Sequence, residues 1–166
     1  MATNPLVLLI MGSESDLPVM QEAVDVLCNF GVAYEMRISS AHRSPVRTTA
    51  LASEAANRGI KVIIAGAGMA AHLAGVVAAK TILPVIGIPM PGGALNGVDA
   101  LYSTVQMPAG IPVGSMAIGK AGAKNAGLFA VQILALGDER LSSALQAFRV
   151  EMDRDVEQRD LALQAS

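Results

Sequence analysis

The amino-acid sequence predicts a three-layer α/β/α sandwich on a doubly wound parallel sheet, followed by a C-terminal helix. Short apolar segments alternate with segments of helical spacing along most of the 166 residues, which is typical of parallel strands joined by helices. Residues 6–10 and 62–64 are apolar at every position, as expected of strands that helices cover on both faces. Loops rich in small residues follow the apolar segments, where an open parallel sheet binds its ligands.

The elements can be placed in chain order. Ser44 and Pro45 are typical of a helix N-cap and the first helical position. Gly31 and Gly59 each come two residues after an asparagine, which is typical of a helix end. We predict five strands, at residues 6–11, 33–38, 61–65, 84–88 and 113–118.

Two helices are predicted after the last strand. Residues 121–136 are apolar on most of the helix circumference, which indicates a helix buried in a core or in an assembly. Residues 138–164 are charged and apolar on one side only. We expect a single domain over residues 1–166, with a core at about residues 6–136 and the helical tail after it.

Composition and charge exclude several classes of protein. A mass of 17.1 kDa suits one domain, and a formal charge of −2 offers no basic surface for nucleic acid or an anionic membrane. The single Cys28 cannot form an internal disulfide, and residues 1–5 do not resemble a signal peptide. We therefore expect a cytoplasmic protein without a nucleic-acid or membrane partner. The 52% of hydrophobic against 16% of charged residues also indicates surface buried in a homo-oligomer.

The loop after the first strand carries hydroxyl and carboxyl groups at a helix start. Ser13, Ser15 and Asp16 lie there, where unpaired backbone N–H groups and the helix dipole favour an anion. Serine and aspartate are also ordinary capping residues, and a cap alone would explain them.

The loop after the second strand combines an imidazole, a guanidinium and hydroxyl groups. His42 offers a group of the kind that titrates near neutral pH and suits proton transfer, and Arg43 suits a phosphate. Ser40 lies beside them. Their joint position at the carboxyl end of a strand favours a site over a surface loop that only caps a helix.

Small residues dominate the loops after the third and fourth strands. They allow a ligand to approach the backbone closely, although tight packing of a helix on the sheet needs them as well. Residues 89–97 form a glycine-rich loop that could fold over a ligand. The candidates in the third loop are Ala67, Gly68, Met69 and His72.

Metal and nucleotide sites lack their sequence signatures. His42 and His72 are the only histidines and Cys28 is the only cysteine, so no cluster has metal-ligand spacing. The GxGxxG, GxxxxGK[ST] and GxSxG spacings are missing, so neither a dinucleotide fold, an ATPase nor a hydrolase triad is indicated. We expect no metal and no cofactor.

Several longer motifs lie in a fixed order between residues 6 and 136. They are MGSESD at 11–16, SAHR at 40–43, IAGAGMAAHLAG at 64–75, ALNGVDALYSTVQMPAGIPVG at 94–114 and GKAGAKNAGLFAVQIL at 119–134. Together they resemble the PurE family of 5-(carboxyamino)imidazole ribonucleotide mutases, of the bacterial class I type. The resemblance implies a flavodoxin-like doubly wound fold and a homo-octamer with active sites between subunits. It also implies an isomerase of purine (IMP) biosynthesis that needs no metal, nucleotide or organic cofactor.

The same resemblance implies a role for each candidate in the first two loops. Ser13, Ser40 and Arg43 are expected to hold the substrate phosphate. Asp16 is expected to bind the ribose hydroxyls, with Ser15 beside it.

His42 is expected to be the general acid/base. Many members read GGAAHLPG where this chain has GMAAHLAG at 68–75, and carry a polar segment where this chain has residues 91–97. These departures fall on loops that face the substrate in the family. The pocket for the carboxylate or carbon dioxide is expected to be lined by the backbone of Ala67, Gly68 and Met69 and by His72.

Three alternatives remain open from the sequence. The first is a direct aminoimidazole ribonucleotide carboxylase that uses carbon dioxide. The second is a flavodoxin-like mononucleotide-binding module, although three Phe, two Tyr and no Trp leave few rings to stack on a flavin. The third is an oligomeric scaffold without catalysis, which leaves residues 40–43 without a role.

Overall fold

A computed structural model describes residues 4–165 of the protein. Within these residues five strands form one parallel sheet: β1 (Val7–Met11), β2 (Tyr34–Ile38), β3 (Val62–Ala67), β4 (Val85–Pro89) and β5 (Gly114–Ser115). Their order across the sheet is β2-β1-β3-β4-β5, and every neighbouring pair is parallel. The predicted doubly wound sheet is confirmed.

The described part of the chain contains six α-helices. Gly31 and Gly59 adopt left-handed backbone angles, with φ of 64° and 88°, just after helical segments, as their positions predict. Pro45 opens the second helix with Ser44 at the N-cap position. The helices are α1 (Leu17–Asn29), α2 (Pro45–Glu54), α3 (Leu73–Ala78), α4 (Val98–Val105), α5 (Lys120–Ala135) and α6 (Glu139–Gln164).

Helices cover both faces of the central strands. All five residues of β1 are buried, because side chains that alternate across a strand meet a helix on either side. Leu8 and Ile63, which are neighbours across β1 and β3, belong to a core cluster with Ala52 of α2 and Leu73 of α3. On the other face Gly66 lies against α1: a Cβ added there would come within 2.6 Å of the sulfur of Met20.

Close packing of α1 and α5 depends on a glycine. A Cβ at Gly127 would lie 2.9 Å from the Ala23 carbonyl oxygen and 2.9 Å from the Cβ of Val26. The buried side of α5 is therefore built from small residues, while Phe129 on this helix remains 39% exposed.

The last strand is shorter than predicted. We predicted a strand at residues 113–118, but only Gly114 and Ser115 pair with β4. Pro112 has no N–H to donate just before the pairing begins. Beyond residue 116 the chain turns into α5, where the Ala117 carbonyl occupies the space that a side chain at Gly122 would need.

The chain divides into two compact units, one ending at Val131 and the other beginning at Gln132. The second unit contains α6, whose N-cap Asp138 accepts a hydrogen bond of 3.1 Å from the Leu141 N–H. The single domain stays a prediction, and residues 1–3 and 166, including most of the segment used for the signal-peptide prediction, lie outside the described residues. None of the helices within residues 4–165 is long and apolar enough to cross a membrane.

Candidate active site

A cleft opens at the edge of the sheet where β1 to β4 end. Met11 lies beside Ile38 of β2 and Gly66 of β3, so the loops after these strands leave the sheet side by side. This is the switch point of the sheet, where ligands of open α/β folds bind. The cleft has a volume of about 480 Å³, which suits a small molecule. It brings together all ten predicted site residues: Ser13, Ser15, Asp16, Ser40, His42, Arg43, Ala67, Gly68, Met69 and His72.

One end of the cleft offers hydrogen-bond donors to an anion. The Ser13 oxygen accepts a bond of 3.0 Å from the Ser15 hydroxyl, and the Ser40 oxygen accepts one of 3.1 Å from the Arg43 backbone N–H. Among the described residues, neither the Ser13 nor the Ser40 hydroxyl proton has an acceptor. Arg43 Nη2 donates to the Gly12 carbonyl at 3.0 Å and so joins the two loops. Two hydroxyl donors and a guanidinium are groups that bind phosphate.

Asp16 lies at the same end and is partly buried. Burial raises the pKa of its carboxyl above the ordinary value. The backbone N–H of Ser13, the neighbouring Ser15 side chain and the positive charge of Arg43 lower the pKa, but by less than burial raises it. The folded protein thus opposes ionisation of a carboxyl that faces the cleft.

The two histidines that line the cleft are in contact with each other. His42 Nε2 and His72 Nδ1 are 2.8 Å apart, and the rings are nearly perpendicular, with an interplanar angle of 81°. When both rings are neutral, one nitrogen must donate and the other accept, so the bond fixes the two tautomers together. The pair can give or take a proton beside a bound ligand.

The loop after β3 brings small and apolar residues to the cleft. Met69 adopts a left-handed φ of 53°, which is unusual for a residue with a side chain, and it is 61% exposed. Gly68 has only ordinary contacts around an added Cβ, whereas Gly66 would clash with Met90 and Met20. Gly66 therefore serves packing, and Gly68 leaves the backbone open to a ligand.

Seven residues that line the cleft were not among the ten candidates. They are Gly12, Ala41, Ala70, Leu73, Met90, Pro91 and Gly92. Each lies in or directly after a loop that follows one of the strands β1 to β4, so the rule that selected the candidates could have found them. The last three belong to the glycine-rich loop at 89–97 that the sequence already indicated as a whole. The loop at 106–113, which carries part of the family motif, does not line the cleft. Within residues 4–165 no three His, Cys, Asp or Glu side chains come together as a metal site.

Comparisons with known proteins point to one family. A sequence model described as AIR carboxylase matches residues 6–155. The N5-carboxyaminoimidazole ribonucleotide mutase of Vibrio vulnificus is 55% identical over 89% of this chain and 92% of its own length. The protein of the same name from Bacillus subtilis is 57% identical over 88% of this chain and 90% of its own.

Solved structures agree with the fold. The crystal structure of Treponema denticola PurE superposes with a TM-score of 0.85 and is 29% identical, covering 94% of this chain and 96% of that one. The crystal structure of a variant of Treponema denticola PurE2 has a TM-score of 0.86 at 28% identity, covering 95% of this chain and 97% of that one.

Proposed function

The chain belongs to the AIR carboxylase family, and we propose that it is an N5-carboxyaminoimidazole ribonucleotide mutase of purine (IMP) biosynthesis. The names of relatives that are 55 to 57% identical over most of the chain support this activity over direct carboxylation. The observation that carries the proposal is the position of His42 in one cleft with the anion-binding groups of Ser13, Ser40 and Arg43.

The reaction would move a carboxyl group from the exocyclic nitrogen of an aminoimidazole to carbon 4 of its ring. The N–C bond of the carbamate breaks, carbon dioxide is released, and the electron pair stays on the nitrogen, which takes up a proton. Carbon 4 then forms a C–C bond to the carbon dioxide with electrons of the ring and afterwards loses its proton. One proton is supplied and one is removed, so a single imidazole can serve as acid and then as base. We assign this role to His42.

The phosphate of the substrate would bind at the hydroxyl end of the cleft. Ser13 and Ser40 already accept hydrogen bonds from the protein, which leaves their own protons for phosphate oxygens. Arg43 adds a charge-assisted bond. Asp16, with Ser15 beside it, would accept hydrogen bonds from the ribose hydroxyls.

The released carbon dioxide would stay beside the loop that follows β3. The backbone of Ala67, Gly68 and Met69 would approach the carboxyl group, and His72 would line the pocket beside His42. A pocket that excludes water keeps the released gas at a high effective concentration next to carbon 4. No cofactor is needed for these steps.

A closed pocket would need a second subunit. His42, His72 and Met69 are exposed in the single chain, as are apolar side chains such as Tyr102 and Phe129. These exposures support a homo-oligomer, for which we propose an octamer whose active sites lie between subunits. For a purine-biosynthesis enzyme with this substrate we propose a cytoplasmic location.

An isotope experiment tests the proposed activity. The substrate carries ¹³C in its carboxyl group, and the buffer contains excess unlabelled bicarbonate. A mutase yields a 4-carboxy product that keeps the ¹³C label, because the carbon dioxide does not leave the site. A product with unlabelled carbon would indicate the direct carboxylase, and no product at all would contradict both activities.

A further inference from the structure

Two buried hydroxyl groups lie beneath the loop that carries His42 and Arg43. Ser39 is 1% exposed and Thr48 is 0% exposed, and neither lines the cleft. Their oxygens are 2.8 Å apart. Alanine and valine would fill the same space without needing hydrogen-bond partners, so this polar pair requires an explanation.

The pair continues into a chain of hydrogen bonds. Thr48 Oγ1 lies 3.2 Å from the Ser44 carbonyl oxygen, and Ser44 Oγ lies 3.1 Å from the Ser40 carbonyl oxygen. Each hydroxyl has one proton, and one arrangement uses all three: Ser39 donates to Thr48, Thr48 to the Ser44 carbonyl, and Ser44 to the Ser40 carbonyl. We call Ser39, Ser44 and Thr48 the hydroxyl chain.

Ser44 serves the loop instead of its helix. It stands at the N-cap of α2, yet its side chain makes no capping hydrogen bond. Its oxygen accepts a bond of 2.9 Å from the Ser40 N–H, although N-cap oxygens normally accept from the first turn of the helix. The hydroxyl chain therefore ends at Ser40, where the Ser44 hydroxyl is bonded to both the backbone N–H and the backbone carbonyl.

The loop needs such support because its functional side chains are exposed. His42 and Arg43 are exposed, and their hydrogen bonds to His72 and to the Gly12 carbonyl can form only when the backbone of the loop holds the two side chains in place. Ser40 transmits that support, since its own hydroxyl oxygen accepts the Arg43 N–H at 3.1 Å.

We propose that the hydroxyl chain is a positioning device, anchored at Thr48, that holds Ser40, His42 and Arg43 in place for the substrate. Thr48 touches no substrate and acts through Ser44 and Ser40. The effect that we expect on kcat and KM rests on the proposed function. The effect that we expect on the affinity for phosphate rests on the geometry of the loop alone.

Thr48→Val tests the inference, because valine keeps the shape and removes the hydroxyl. We expect kcat/KM to fall by about tenfold or more, with a lower kcat and a higher KM, since misplacement by about 1 Å is costly in an active site. The affinity for inorganic phosphate, measured by titration calorimetry, should fall as well. Thr48→Ser keeps the hydroxyl and should restore most of each loss.

Thr104→Val is the matched control. Thr104 is 2% exposed, its hydroxyl donates to the Ala100 carbonyl at 2.7 Å within α4, and it does not line the cleft. This variant also loses a buried hydroxyl and should be destabilised, but its kcat, KM and phosphate affinity should match the wild type.

Unchanged kinetics and phosphate affinity in a folded Thr48→Val protein would overturn the inference, and so would equal losses in Thr104→Val. If Thr48→Val does not fold, Ser39→Ala removes only the first donor of the hydroxyl chain and decides the matter by the same measurements. A wild-type protein that fails to convert the ribonucleotide would contradict the proposed function, and the phosphate titrations would still decide on the hydroxyl chain.

Discussion

At the scale of single residues, Asp16 links stability to binding. Its pKa is raised in the folded protein, so folding favours the protonated carboxyl and ionisation weakens the fold. The stabilising contribution is present below the ordinary aspartate pKa and is lost as the pH rises through the raised value. Asp16→Asn cannot ionise, and we expect it to be more stable than the wild type in urea unfolding at pH 7.

The pH dependence of this difference provides the control. As the pH falls toward 4 and below, the wild-type carboxyl becomes neutral, and the two unfolding midpoints should converge. The same substitution should weaken binding of the ribonucleotide, because the proposed acceptor for the ribose hydroxyls loses its charge. A wild type more stable than Asp16→Asn at pH 7 would contradict this account of Asp16.

The candidate residues themselves could be predicted from sequence, but their contacts could not. Ser40, His42 and Arg43 are neighbours in one loop after a strand, so the sequence already places them together. The bond between His42 and His72 joins residues 30 positions apart, and no periodicity encodes the angle between their rings. The sequence also could not predict that the Ser44 hydroxyl bonds to Ser40 and not to the first turn of its helix, because an N-cap position normally predicts a capping bond.

At the scale of elements, the packing of α5 on α1 depends on Gly127. We expect Gly127→Ala to lower the unfolding midpoint, because an overpacked contact typically costs about 1–3 kcal/mol. Because the clash is with backbone atoms, we expect a cost in the upper part of this range, above the roughly 1 kcal/mol that alanine gains over glycine in a helix interior. The added methyl would meet the Ala23 backbone, which cannot move without shifting α1.

Gly137→Ala is the control for this prediction. A Cβ at Gly137 would meet no atom within 4 Å, and its backbone is not left-handed. Its free energy of unfolding should stay within about 0.5 kcal/mol of the wild-type value, as for an ordinary surface change. If both alanine variants unfold alike, the close contact between α1 and α5 is not required for stability.

Strands were predictable where burial is complete and less so at the edge of the sheet. The continuous apolar segments at β1 and β3 predicted buried strands, since a strand between two helical layers is apolar at every position. The segment at 113–118 is also largely apolar, but it pairs with one neighbour only. Its length depends on how the chain turns into α5, which is a tertiary contact that no local pattern records.

At the scale of the whole molecule, the proposed assembly follows from surface that a single chain leaves uncovered. Tyr102 on α4 is 62% exposed and Val105 is 51% exposed, and Phe129 on α5 is 39% exposed. If these side chains form one continuous patch, burial in a closed symmetric oligomer would remove it from water. Light scattering at micromolar concentration should report a multiple of 17.1 kDa, and eightfold for the octamer. A monomer under these conditions would contradict both the assembly and the shared active site.

Single-turnover conversion of N5-carboxyaminoimidazole ribonucleotide by the His42→Asn protein tests the central claim most directly. Asparagine cannot move a proton at neutral pH, so the rate should fall by roughly a hundred- to ten-thousand-fold. The ribonucleotide should still bind through its phosphate and ribose contacts and remain unreacted, while His72→Asn should be impaired less. Circular dichroism and light scattering establish that both variants keep their fold and assembly. Near-normal conversion by a well-folded His42→Asn protein would contradict the claim that His42 is the acid/base of this site.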